Sequence, residues 1–137
     1  MTDELFEILT APRTDRKYIK KCIEQINDLR ISMLPSAIRY DKDRIQSSPS
    51  DPMINFAEKV EELEDTKKYH EQRYIEDYNK ADELIRELKN ADLETVMTLK
   101  YLACNRNREI ARKMNYSEST VEKLHKKAIG KLEETLR

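Results

Sequence analysis

A chain of 137 residues with 38% apolar and 39% charged residues has room for one ordinary domain, or for a small domain carried on an extended element, and the charge content favours the second. One glycine, four prolines and no tryptophan, set against abundant Glu, Lys, Arg and Leu, exclude a turn-rich β fold and predict an almost wholly helical protein. The net charge of −1 argues against a general polyanion binder, but it hides a division: residues 105–137 hold nine Lys or Arg and five Asp or Glu, net +4, against −5 over residues 1–104.

The first apolar group is Leu5, Phe6, Ile8 and Leu9, following Thr2 as a candidate cap. It predicts a short amphipathic turn that docks on a longer helix and ends before Pro12. From Asp15, Ile19, Ile26 and Met33 recur seven apart, with Cys22 and Leu29 seven apart three residues behind them. This is an a/d seam of little more than two heptads, which needs a partner helix and which Pro35 should stop.

Residues 34–52, LPSAIRYDKDRIQSSPSDP, concentrate proline and serine without an apolar period and read as a linker. Asp51 and Pro52 then suit a helix start. A second seam runs through Met53, Phe56, Val60 and Leu63 and resumes at Tyr74, Ala81, Leu84 and Leu88, with Lys67, His70 and Asp77 on intervening seam positions. Polar residues there weaken a coiled coil but fix its register. Such a helix is too long for this chain to bury alone. The expectation is an antiparallel hairpin with residues 15–34, a homo-oligomer through residues 15–34 and 53–88, or both. The tyrosines Tyr69, Tyr74 and Tyr78 are expected to pack on the seam or its flanks.

Residues 91–103, ADLETVMTLKYLA, form the densest apolar segment and predict a support helix. The stretch NRNREIARKMNYSESTVEKLHKKAIGKL, residues 105–132, then reads as a helix-turn-helix. Ile110 and Met114 share one side of a short helix, with Ala111 where another helix crosses. Asn115, Tyr116 and Ser117 break the pattern, since Asn tolerates a left-handed backbone and Ser117 is a good cap. Ser119 with Glu122 is a rival capping box. Val121, Leu124, Ala128 and Leu132 form the inner stripe of the second helix. Opposite them fall Ser119, Lys123, Lys126 and Gly130, flanked by Glu122 and Lys127. His125 lies near the apolar stripe and is expected to pack. Gly130 marks either fraying or a close backbone approach.

Three segments follow: N-terminal amphipathic helices and linker over 1–50, a long coiled-coil-like helix over 51–90, and a helix-turn-helix module over 91–137. The fold expected is all-α, an N-terminal helical hairpin or stalk followed by that module. Cys22 and Cys104 lie far apart with no CxxC or Cys/His cluster, so no metal site or cofactor is expected. No run approaches a membrane span, which predicts a cytoplasmic protein with reduced thiols. Without a phosphate loop or a nucleophile with its base, an enzyme is not expected.

The residues Val96-Met97, Leu99-Lys100-Tyr101, Glu109-Ile110-Ala111, Ser117, Thr120-Val121, Leu124, Ala128 and Lys131-Leu132 give the last 40 or so positions a family likeness. The series resembles region 4 of bacterial sigma-70-type factors. With paired helices joined by RIQSSPSDPM ahead of it, the whole chain resembles the RinA and ArpU-like phage regulators of Gram-positive hosts. The resemblance implies activation of late or packaging genes, with double-stranded DNA and RNA polymerase as partners in a bacterial cytoplasm. Carried over by position, Glu118, Ser119, Glu122 and Lys123 would read bases. The sigma pattern commonly has Arg and Glu where Glu118 and Ser119 stand, and Arg and Gln where Glu122 and Lys123 stand, so the usual promoter hexamer is not implied.

Chemistry gives the same surface its roles. In the major groove Lys123 suits guanine, Glu122 suits cytosine N4, and Ser119 suits a base or a phosphate. Arg112, Lys113, Lys126, Lys127 and Lys131 suit phosphates, and Ser117 sits at the helix start among them. The competing view of Glu118 and Glu122 is that they complement the helix N-terminus. Two other functions use the same elements: a phage small terminase subunit recognising a packaging site, and a helical adaptor protein that binds no DNA.

Overall fold

The computed structural model describes residues 1–33 and 52–137. Among these residues the fold is all-α. Helix α1 spans Asp3–Ser32 and α2 spans Pro52–Arg86. Helix α3 (Ala91–Met97) continues as a π-helical turn over Thr98–Leu102, and α4 (Asn107–Met114) and α5 (Glu118–Thr135) complete the chain. The expected linker lies outside the described residues except for Pro52, which opens α2 where its fixed φ costs nothing.

The break expected before Pro12 does not occur. Pro12 lies inside α1, fully buried, and the seam runs through it: Leu5, Pro12, Ile19, Ile26 and Met33 repeat every seven residues, with Ile8, Asp15, Cys22 and Leu29 between. Proline removes one backbone bond and crowds the preceding turn, at about 3 kcal/mol. Full burial of Leu5 and Leu9 offsets this, since each such side chain contributes about 1.5–3 kcal/mol. The Thr2 cap is present, its hydroxyl accepting from the Leu5 N–H at 3.3 Å. Phe6, expected on the apolar face, is instead exposed.

By contact the described chain divides into two compact units, one of residues 16–72 and one of residues 1–15 with 73–137. In the first, Cys22, Ile26 and Leu63 are buried, and Ile19, Leu29, Phe56 and Val60 are half-buried around them. Tyr18 stacks on His70 with centroids 4.6 Å apart, and Arg30 meets Glu64 at 3.7 Å. Later residues of α1 thus meet earlier residues of α2, the antiparallel pairing of a hairpin. Met53, expected on the seam, is exposed.

The second unit holds the larger core. Leu5 and Leu9 of α1, Ala81 and Ile85 of α2, Leu93 and Met97 of α3, Tyr101 and Leu102 of the π turn, and Ala128, Ile129 and Leu132 of α5 form one cluster. The apolar segment over 91–103 is the expected support helix. Its start is capped by Asn90, whose side chain accepts from the Leu93 N–H at 3.0 Å. At its end, the Ala103 N–H reaches back five residues to the Thr98 carbonyl at 2.9 Å. The wider turn puts both Tyr101 and Leu102 in the core, while Lys100 stays partly exposed.

Candidate nucleic-acid interface

Two short helices and a three-residue turn build the candidate surface. Glu109 starts α4 by accepting from the Arg106 N–H at 3.4 Å, and a carboxylate there complements the helix dipole. The turn follows the expected chemistry: Asn115 is left-handed with φ 59 and ψ 40, and the Tyr116 N–H returns to the Ala111 carbonyl at 3.0 Å. Tyr116 also donates its hydroxyl to Asp92 at 3.0 Å, tying the turn to α3. That bond, with the charge of the acceptor, raises the tyrosine pKa.

Ser117, not Ser119, caps α5. Its Oγ accepts from the Thr120 N–H at 3.1 Å and pairs with the Thr120 hydroxyl at 2.9 Å. Beneath the turn, Val96, Ile110, Ala111 and Val121 form a second buried cluster, with Leu99, Met114 and Leu124 against it. The inner stripe of α5 is therefore as expected, with Ile129 added to it.

Arg112, Lys113, Ser117, Glu118, Ser119, Glu122, Lys123, Lys126 and Lys127 are all exposed, as is Lys131. Ser119, Glu122, Lys123 and Lys126 repeat at three- and four-residue intervals along α5 and so share one side of it. Arg112 and Lys113 occupy the last turn of α4. The Ser117 hydroxyl is engaged by its cap, which leaves it a positioning role at the head of the helix. His125 packs inward as expected, its Nε2 2.8 Å from the Tyr101 hydroxyl. Burial, with help from the Lys100 charge, lowers its pKa to about 4, so at pH 7 the ring is neutral and shares one hydrogen bond with the phenol, whose own proton burial holds in place. Among the described residues no His, Cys, Asp and Glu cluster could hold a metal.

Three cations outside the expected DNA-binding residues, Arg13, Lys100 and Arg106, stand beside this surface. Arg13 reaches from α1 to donate to the Lys100 carbonyl at 3.0 Å, and Lys100 donates to Asn107 Oδ1 at 2.9 Å. With Cys104, Asn105 and Arg106 they line a cleft of about 450 Å³. Burial, reinforced by Arg13, lowers the Lys100 pKa against the opposing pull of Glu122. Lys113 reaches the same place, donating to Asn105 Oδ1 at 3.3 Å.

No family model, curated protein or solved structure matches the chain. The candidate surface therefore stands on its own geometry. Among the described residues no helix is long and apolar enough to cross a membrane.

Proposed function

We propose that this chain is a sequence-specific DNA-binding transcription regulator, a phage or prophage late-gene activator that contacts promoter DNA and RNA polymerase. The observation that carries the reading is the row Ser119, Glu122, Lys123 and Lys126. It lies exposed on α5, opposite a fully buried Val121, at the head of a helix fixed by the Asn115 turn and the Ser117 cap. An α-helix presenting one polar row fits the major groove, where each base pair shows a distinct donor and acceptor pattern. The cations beside the row supply phosphate contacts, which give affinity and salt dependence.

Self-association belongs to this proposal, because one copy of so small a module binds weakly and two copies double the contacts. Ile26 and Leu63 are buried within the chain itself. A homo-oligomer through residues 15–34 and 53–88 would use the outer faces of those helices or exchange them between copies.

The test is a pull-down of bacterial and prophage genomic fragments, followed by gel-shift titration of a recovered duplex. Replacing both cations of the row, Lys123→Ala with Lys126→Ala, is expected to weaken binding at least tenfold, about 1.4 kcal/mol, with circular dichroism unchanged. Equal binding by the folded variant would reject the assignment. Recovery of fragments from packaging sites rather than promoters would favour a small terminase subunit.

A further inference from the structure

We infer that the cleft lined by Arg13, Lys100, Cys104, Asn105, Arg106 and Asn107 is a phosphate site that seats a DNA backbone phosphodiester beside the α4–α5 surface. The inference rests on the DNA-binding reading and adds to it a site that draws on α1.

The cleft's lining holds three cations, two carboxamides and a thiol, and no acid. Among the described residues, none of Arg13, Lys100 and Arg106 takes part in an ion pair. Arg13 spends one donor on the Lys100 carbonyl, and a guanidinium has five. Lys100 engages Asn107 through its Oδ1, so the Asn107 amide nitrogen remains as a donor. The lowered Lys100 pKa reports burial first and the neighbouring Arg13 charge second, and a bound anion would oppose both. The first turn of α4 starts at Asn107 and adds the positive end of a helix dipole.

Two acids flank the cleft, and neither neutralises it. Glu109 accepts from the Arg106 backbone, and Glu122 acts on Lys100 only through its field. The same field places the cleft near the α5 row, and Lys113, held on Asn105, places it near the end of α4. A single negative charge at the edge of a base-reading helix is what a DNA phosphate presents, which distinguishes it from a free nucleotide with its denser charge.

The experiment uses the full chain and the recovered duplex, with Arg13→Gln, Arg13→Lys and Lys100→Met, and Lys20→Gln as a control cation elsewhere on α1. Each charge-removing variant is expected to raise Kd about three- to tenfold and to lower the steepness of log K against log salt by about 0.9, the value of one phosphate contact. Arg13→Lys and Lys20→Gln should keep the wild-type slope, and Arg13→Lys guards against loss of fold. Wild-type affinity and slope in both Arg13→Gln and Lys100→Met would overturn the site while leaving the α5 reading intact. Should the wild type bind no DNA, the α5 reading fails, and titration with inorganic phosphate decides the cleft. Saturable NMR shifts at Arg13 Nε and Lys100 Nζ, the Lys100 shift being lost in Arg13→Gln, would support an anion site, and their absence in the wild type would overturn it.

Discussion

Gly130 stands on the outer row of α5, exposed, five residues before the helix ends, and a Cβ built on it would meet nothing within 4 Å. Neither fraying nor a close approach explains it. A helical glycine in open solvent retains only its cost, about 1 kcal/mol relative to alanine. Gly130→Ala is accordingly expected to stabilise the chain by about 0.5–1 kcal/mol, read as a melting temperature a few degrees higher; a lower melting temperature would mean that the position meets something at this face. Residue-level reading succeeded where one side chain answers to its own helix. Val121, the Asn115 turn and the inward His125 are set by local spacing and backbone preference. It could not supply the Tyr101 hydroxyl facing His125, because that partner lies 24 positions away on another helix.

At the scale of the element, the seam is more continuous than its apolar residues suggest. Asp15 occupies the seam position between Ile8 and Cys22, buried, and is hydrogen-bonded to Asp77, the polar seam residue of α2. Burial first, and then Asp77 by its bond and charge, raise the Asp15 carboxyl to about 7 against the opposing pull of Arg73. Because the folded pKa lies above the unfolded value of 3.8, the folded chain holds a proton that the unfolded chain releases. Stability from this group is complete below about pH 4 and is lost as pH rises towards 7. Asp15→Asn keeps a donor and an acceptor facing Asp77 without the charge, and is expected to stabilise the chain by ~1–2 kcal/mol at pH 8 and by almost nothing at pH 4. His125 contributes the opposite slope between about 6.5 and 4, so the quantity to measure is the difference between variant and wild type, in which it cancels. Denaturant titrations at the two pH values check this, and an equal difference at both would sink it.

The same element shows why part of the candidate site was hidden. Pro12 is a helix breaker by its own chemistry, and a stop there detaches Arg13 from the rest of the fold. Only the seven-residue repeat linking Leu5 to Ile19 through Pro12 reveals the continuous helix that carries Arg13 to Lys100. Lys100 left a fainter trace, the one cation in the densest apolar segment. Its partner Asn107 is seven residues ahead, across the π turn and the left-handed Cys104, a geometry that no spacing rule anticipates.

For the whole molecule, the proposed function asks how a chain of net charge −1 would hold a polyanion. Its charges are segregated, with +4 over residues 105–137 and −5 before them, and exposed charges beyond about 10 Å are largely screened at 0.1 M salt. The proposed binding would then depend on the local cations rather than on the sum. Arg112, Lys113, Lys126, Lys127 and Lys131 are five exposed candidates for phosphate contacts, and duplex binding releases about 0.9 counterion for each contact made. One copy on DNA is therefore expected to show a slope of log K against log salt of about −4 to −5, and two copies acting together about twice that. Fluorescence anisotropy on the recovered duplex between 50 and 200 mM salt, at roughly the range where such slopes are read, measures it. A slope near zero would remove phosphate contact from the account, and with it the DNA reading. A slope near −9 in a species that sediments as a dimer would assign the helices of residues 15–34 and 53–88 to joining copies as well as to folding one, because it is about twice what the five exposed candidates of one copy supply.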